Sequence, residues 1–113
     1  MCIRDSGDII LLYGEALNEN GNSSAAITEL NKIRTRAGLA GTTATGQADL
    51  RQAFADERRL ELALEGQRWF DLVRTNTVDA EMGINVDPMF FIFPIPQSEI
   101  NASGMVITQN PGY

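Results

Sequence analysis

The sequence predicts an all-α fold that ends in an irregular segment, and three features lead to this prediction. Apolar residues recur at spacings of three and four in three separate stretches, which is typical of helices with one buried face. Glycine-containing breaks separate the stretches. The alternation of a half-buried strand nowhere extends beyond a few residues. The 113 residues suit one small domain at most.

The first two predicted helices form a hairpin. The first covers residues 9–18, and the second runs from Ser23 or Ser24 to about Arg36. Their apolar stripes are Ile9, Leu12, Tyr13, Ala16 and Leu17 in the first helix, and Ala26, Ile27, Leu30 and Ile33 in the second. The caps expected for the two helices are Ser6 or Asp8 and Ser23 or Ser24, respectively. Because only a few residues around Gly21 join the helices, we expect antiparallel packing with a tetratricopeptide-like spacing.

The third predicted helix is the longest and most charged, from Gln47 or Ala48 to a break at Gly66. Its apolar side comprises Leu50, Ala53, Phe54, Leu60, Leu64 and Leu62. A shorter helix from Trp69 to about Thr75 follows. Residues 38–47, before the long helix, are rich in Gly, Thr and Ala and are predicted to form a flexible loop.

The C-terminal third carries turn and loop signals. Residues 76–88 are predicted to be a loop, and residues 89–96 an apolar extended segment, since Pro94 and Pro96 oppose helix there. Pro96 is suited to begin a short helix that reaches Ile100. The final residues TQNPGY are typical of turns.

Composition excludes several kinds of function. The net charge of −6 makes nucleic acid an unsuitable partner. Histidine is absent, which removes the commonest general base and zinc ligand. We therefore expect no enzyme, no catalytic residue, no metal site and no cofactor. Cys2 is the only cysteine, so no internal disulfide can form, and no run approaches the ~18 apolar residues of a membrane span.

A row of acids on the third helix is the first candidate for chemistry. Glu57, Glu61 and Glu65 repeat every four residues and so share a helix face, where carboxylates could act as acid and base or bind a cation. Structural ion pairing is the favoured interpretation, because acids and arginines alternate at a spacing of three. The expected pairs are Asp56–Arg59, Glu65–Arg68, Arg68–Asp71 and Asp71–Arg74.

Aromatic residues are the second candidate, and they comprise Trp69, Phe70, Phe90, Phe91 and Phe93. Such rings could stack on sugars, since aromatic faces bury the C–H surfaces of a pyranose. They lie within apolar runs, however, and core packing is the favoured interpretation. Nothing marks Tyr113 as a ligand-binding residue.

Three segments resemble the C-terminal region of the SusD/RagB family. They are LLYGEALNENGNSSAAITELNKIRTRAGL at residues 11–39, ERRLELALEGQRWFDLVR at residues 57–74, and FPIPQSEI at residues 93–100 with QNPGY at the end. Their order and spacing cover nearly everything after residue 8. Residues 8–113 would then be a SusD/RagB-like C-terminal domain, a fragment of a larger protein. Residues 1–7, which do not resemble a signal peptide, would be an unrelated leader or a truncation scar.

The resemblance implies a fold and a function. Family members are all-helical lipoproteins with tetratricopeptide-like helix pairs, they face outward from the bacterial outer membrane, and they lie over a SusC-like TonB-dependent transporter. They capture oligosaccharides or other nutrients, and the contacting loops lie largely outside this segment, so the binding residues here stay unknown. Two positions depart from the family pattern: Gly14 replaces the usual Ala, and Gln67 replaces a frequent His. Gly14 is expected to weaken its helix by up to ~1 kcal/mol.

The alternative is a small tetratricopeptide-like module that binds another protein. Such a module would continue with helix pairs, whereas this chain continues with PIPQSEI and QNPGY, which favours the receptor family. One helix pair cannot bury its stripes without neighbours. We therefore expect the isolated chain to be partly molten or self-associating.

Overall fold

The computed structural model describes residues 3–113, with side chains described from residue 6. Met1 and Cys2, at the start of the predicted leader, lie outside the described residues. The elements in order are α1 (Ile3–Glu19), α2 (Ser23–Arg36), α3 (Gln47–Glu61), α4 (Arg68–Arg74), α5 (Val78–Met82), a 3-10 turn (Pro88–Phe91) and α6 (Gln97–Ala102). No strand occurs within residues 3–113, which confirms the all-α prediction. None of the helices described here has both the length and the apolar character that a membrane crossing requires.

The described residues form two compact units, one ending at Arg68 and the other comprising Trp69–Tyr113. In the first unit, residues 20–22 join α1 to α2 and the two helices pack against each other, which confirms the predicted hairpin. Helix α3 packs mainly against α1 and also against α2. The core consists of Leu11, Ala26, Leu30, Ile33, Leu50 and Phe54. The predicted stripe of α2 and the first half of that of α3 are thus confirmed.

Helix α1 buries a different face from the one predicted. Leu11, Gly14 and Asn18 are buried, whereas Ile9 and Tyr13 are 64% and 56% exposed. The prediction was wrong because apolar residues occur on almost every side of α1, so their spacing alone could not select one face. The selected face is the one whose glycine allows another helix to approach closely.

The predicted caps of the first two helices were also wrong. Helix α1 begins at Ile3, so Ser6 and Asp8 lie within the helix. Helix α2 is capped by Asn22, whose side-chain oxygen accepts from the Ala25 N–H at 3.3 Å. An asparagine is as good a cap as a serine, and Asn22 comes first after the turn.

Helix α3 ends earlier than predicted. It stops at Glu61 after 15 residues and is shorter than the 17-residue α1. Leu62 is buried, but Leu60 and Leu64 are exposed, so their predicted places in the core were wrong. Leu60 lies within α3 on the same side as the exposed Asp56, four residues earlier. Leu64 lies in the turn over residues 62–66, where it takes a φ of 70° and no longer follows the helix.

The connection between α2 and α3 is irregular, as predicted, and α2 side chains hold it. Asn31 accepts from the Thr42 N–H at 2.8 Å through its side-chain oxygen. The Arg34 Nε donates to the Ala40 carbonyl at 2.9 Å. These bonds satisfy backbone groups of a loop that has no secondary structure of its own.

The second unit buries Leu72, Val78 and Ile100. The predicted loop at residues 76–88 contains the short helix α5, and the predicted extended segment begins with a 3-10 turn. The Asp87 carboxylate caps that turn by accepting from the Met89 N–H at 3.0 Å. The chain is extended at Ile92, and α6 follows Pro96 as expected.

Three residues of the tail hold residues 89–95, and we call them the tail clamp: Gln109, Asn110 and Tyr113. The Gln109 side chain accepts from the Ile95 N–H at 2.8 Å and donates to the Ile95 carbonyl at 2.9 Å. Asn110 donates to the Phe93 carbonyl at 2.7 Å. The Tyr113 hydroxyl donates to the carbonyls of Ile92 at 3.1 Å and Met89 at 3.3 Å. The apolar segment thus obtains hydrogen bonds without strand pairing.

Candidate functional site

The predicted acid row pairs with arginines of another helix. The buried Glu57 accepts from Arg34 Nη1 at 2.8 Å, and Glu61 forms an ion pair with Arg36. Both arginines lie near the end of α2, so these bonds fasten α2 to α3. Glu65 follows the end of α3 and does not continue the row along a helix face, which corrects that part of the prediction.

A third ion pair joins α3 to α1. Arg58 is only 5% exposed, and its Nη1 lies 2.7 Å from Asp8 Oδ1. A buried guanidinium loses hydration, and its partners must replace those bonds. The pair fixes the position of α3 relative to α1.

One of the predicted pairs three residues apart is observed directly. Arg74 Nη2 lies 3.1 Å from Asp71 Oδ1, which confirms one of them. Asp56 accepts from the side chain of Gln52 at 3.0 Å. The interhelical bonds were missed, although a signal existed: Glu57 and Arg58 follow Leu50 and Phe54 at helical spacing and so face the core.

The end of α1 and the start of α3 are also connected, by bonds that the sequence pattern did not predict. The fully buried Asn18 donates from Nδ2 to the Gln47 carbonyl at 2.9 Å, and Gln47 Nε2 donates to the Asn18 carbonyl at 2.8 Å. Beside them, Arg51 binds both carboxylate oxygens of Glu19 at 2.6 Å. The hydrogen bond from Arg51 lowers the pKa of Glu19, and the same bond raises the pKa of Arg51.

The aromatic residues of the second unit are more exposed than predicted. Phe70 and Phe93 are 56% and 66% exposed, Phe90 is also exposed, and Trp69 and Phe91 are half-buried. Core packing was therefore wrong for three of the five, because a unit of this size has little interior. The Trp69–Phe91 rings are tilted by 60° and the Phe70–Phe93 rings by 52°, so neither pair forms one flat stacking surface.

The arrangement can fasten helices together but offers little for reaction chemistry. The described carboxylates Glu57, Glu61 and Asp8 are each engaged by an arginine, whereas acid–base work requires a carboxylate that is available to a substrate. Within residues 3–113, no group of three or more Cys, Asp or Glu side chains comes together as a set of metal ligands.

Known proteins share both sequence and fold with this chain. The profile of the SusD family matches residues 6–90. SusD-like protein P2 of Formosa agariphila is 32% identical over 94% of this chain, a stretch that makes up 24% of that protein. The chain thus spans about a quarter of the length of this relative.

Solved structures of SusD-like proteins are also similar to this chain. A SusD-like protein from Bacteroides fragilis aligns with a TM-score of 0.79 and 29% identity, over 95% of this chain and 25% of that one. A laminarin-binding SusD-like protein aligns with a TM-score of 0.73 and 38% identity, over 95% of this chain and 22% of that one. The bonds that join α1, α2 and α3 thus lie in a segment whose sequence and fold both recur, and the chain belongs to the SusD family.

Proposed function

We propose that this chain is a scaffold part of a SusD/RagB-like receptor that binds glycans or other nutrients at the outer membrane. The observation that supports this most is the 38% identity to a laminarin-binding protein over 95% of the chain. Because the chain matches only 22% of that protein, the larger part of such a receptor lies outside it. Binding is non-covalent, and the receptor is not an enzyme.

The geometry favours a scaffold role over ligand contact. The ion pairs of Asp8, Glu57 and Glu61 all join one helix to another, so their charges serve the fold. The Asn18–Gln47 bonds do the same at the opposite end of α3. Sugar sites need polar groups that stay available to hydroxyls, and these groups are engaged within the chain.

The same proposal includes a partner and a location. The receptor lies on the outward face of the bacterial outer membrane and passes its ligand to a SusC-like TonB-dependent transporter. Family membership supports both statements. Co-purification of the full-length receptor with a transporter from outer membranes tests the partner, and a receptor recovered only from the cytoplasm would contradict the location.

A tetratricopeptide-like interaction module is the second candidate, favoured by the α1–α2 hairpin. The hairpin is followed by the single helix α3 and then by a unit held by the tail clamp. No further pair of long helices follows it within the described residues, whereas a repeat array would continue with such pairs. The receptor is therefore the better proposal.

A chimaera tests the scaffold role. Residues 3–113 replace the matching segment of the laminarin-binding SusD-like protein, and laminarin affinity is measured by calorimetry for the chimaera, the unaltered relative and the isolated chain. We expect the chimaera to bind laminarin with an affinity close to that of the relative, and the isolated chain to give no binding heat. A folded chimaera that no longer binds, or an isolated chain that binds, would show that this segment contacts the ligand.

A further inference from the structure

The turn between α1 and α2 contains the only Asn-Gly sequence of the chain, at Asn20 and Gly21. Both residues are exposed, and a Cβ built on Gly21 would meet nothing within 4 Å beyond its chain neighbours. Asparagine is a chemically labile residue, because its side-chain amide can react with the backbone. A following glycine hinders that reaction least, since it has no Cβ. Every other asparagine here precedes a residue with a side chain.

The reaction joins two groups of this turn. The backbone nitrogen of Gly21 attacks Cγ of the Asn20 side chain and forms a C–N bond. The side-chain nitrogen leaves as ammonia, with the proton that the Gly21 N–H gives up, and a succinimide ring results. Water then opens the ring at either carbonyl, so position 20 becomes aspartate or isoaspartate without any other reagent.

The hydrogen bonds of the turn oppose this attack in the folded chain. The Gly21 N–H donates to the Asn18 carbonyl at 3.0 Å, and the Asn22 N–H donates to the Leu17 carbonyl at 2.9 Å. The attacking nitrogen must lose its proton and meet the Asn20 side chain, so the bond to Asn18 has to break first. The reaction therefore proceeds from locally opened chains, and its rate follows their population.

We propose that Asn20 is a deamidation site whose rate is held down by the hydrogen bonds of the α1–α2 turn. The inference is independent of the proposed function, because it needs only this segment and water. The exposed Asn-Gly pair supplies the reacting groups, and the bonded Gly21 N–H supplies the protection.

The product makes further opening of the turn easier. An aspartate at position 20 places a negative charge just after the C-terminal end of α1, beside Glu19, where the helix dipole disfavours anions. An isoaspartate adds a methylene group to the backbone, so the bond from Asn22 to Leu17 loses its geometry. Damage that starts at Asn20 therefore weakens the connection between α1 and α2.

The rate of deamidation tests the site. The chain is incubated at mildly alkaline pH in buffer and in guanidinium chloride, and mass spectrometry of fragments follows the conversion of the Asn20 amide to a carboxyl group. Asn101 is the internal control, since it is also exposed but precedes Ala102. In guanidinium chloride we expect Asn20 to react faster than Asn101. We also expect Asn20 to react at least about tenfold more slowly in buffer than in guanidinium chloride.

Two variants at position 22 test the role of the turn. The Asn22 side chain caps α2 by accepting from the Ala25 N–H at 3.3 Å. Asn22→Ala removes this cap but keeps the Asn-Gly sequence, and it should raise the rate at Asn20 in buffer by about threefold or more. Asn22→Ser keeps a capping oxygen and should leave that rate close to the parent's. Each rate in buffer is divided by the rate of the same variant in guanidinium chloride.

Three results would overturn the inference. If Asn20 reacts no faster than Asn101 in guanidinium chloride, it is not a preferred site. Equal rates at Asn20 in buffer and in guanidinium chloride would show that the folded turn gives no protection. An Asn22→Ala chain that reacts at the same rate as the parent and as Asn22→Ser would show that the turn does not control the rate.

Discussion

The ring of Phe54 on α3 lies against the backbone of Gly14 on α1. A Cβ at position 14 would stand 2.6 Å from both Cε1 and Cζ of that ring, and 3.2 Å from the Cβ of Glu29. Phe54 is only 1% exposed, so the ring has little room to move away. The glycine that costs α1 some helix propensity thus allows the Phe54 ring to lie close to the α1 backbone.

Gly14→Ala is therefore expected to destabilise the chain, although alanine is the better helix former. Overpacking of a filled core costs about 1–3 kcal/mol, which exceeds the ~1 kcal/mol gained from helix propensity. Urea unfolding followed by circular dichroism measures the change. Adding Phe54→Leu should recover part of the loss in a double-mutant cycle, because the smaller side chain frees the space. A Gly14→Ala chain more stable than the parent would refute the close contact.

Asp8→Asn is expected to destabilise the chain more than Glu29→Gln does. The first removes the charge that lies 2.7 Å from the buried Arg58, and hydrogen bonds to charged groups contribute about 1.5–3 kcal/mol. The second breaks the Glu29–Lys32 pair, whose lysine is exposed, and should cost only about 0.2–0.5 kcal/mol. Urea unfolding of both variants measures the two losses of stability, and equal losses would contradict the role of Asp8 as the partner of the buried Arg58.

Arg51→Gln is expected to lower stability at neutral pH and to have less effect in acid. The Arg51 hydrogen bond lowers the pKa of Glu19 below its usual 4.5. A lowered folded-state pKa stabilises the fold above the unfolded pKa, and the effect is lost as the pH falls through the folded value. The free energy of unfolding, measured from neutral pH down into acid, should differ between the parent and the variant at neutral pH and become equal in acid.

Two observations check the assignment to Glu19. Its carboxylate, followed by NMR, should titrate at higher pH in the Arg51→Gln variant than in the parent. Arg51→Lys keeps the charge but loses the bidentate geometry. In this variant Glu19 should therefore titrate at a pH between those of the parent and the Arg51→Gln variant. A stability difference that stays constant with pH would mean that the pair does not act through the ionisation of Glu19.

Gln109→Ala is expected to speed hydrogen exchange at Ile95. The Gln109 side chain accepts from the Ile95 N–H, and its loss leaves that amide to water. Gln97→Ala is the matched control, since Gln97 donates to the Asn101 side chain on the surface of α6. Exchange read by NMR should rise at Ile95 in the first variant only. An unchanged Ile95 would mean that the tail clamp does not hold this segment.

Local sequence signals predicted where the helices lie in the chain well, but predicted less well which face of each helix is buried. The stripe of α2 was predicted correctly because polar residues flank it on the other side, whereas apolar residues occur on almost every side of α1 and their spacing fits more than one face. Leu60 and Leu64 were placed in the core for a similar reason, whereas Leu60 lies on the exposed side of α3 and Leu64 lies in the turn after Glu61.

The ion pairs were also predicted only in part. Pairs three residues apart are visible in a sequence, and Asp71–Arg74 forms as expected. Arg34–Glu57 and Asp8–Arg58 join residues that are far apart in the chain, and their pairing depends on the helix packing. The sequence places Glu57 on the core-facing side of its helix, but it does not show which arginine forms the ion pair with it.

The tail clamp has a consequence for how such proteins can diverge. Its bonds to residues 89–95 all end on backbone atoms, so they depend on the path of that segment and not on the identity of its side chains. Phe90 and Ile92 can therefore be exchanged for other residues while the path of the chain is kept. Gln109 and Asn110 have less freedom, because a carboxylate or an aliphatic side chain would lose a donor. Substitutions should therefore be frequent among the side chains of residues 89–95 and rare at Gln109 and Asn110.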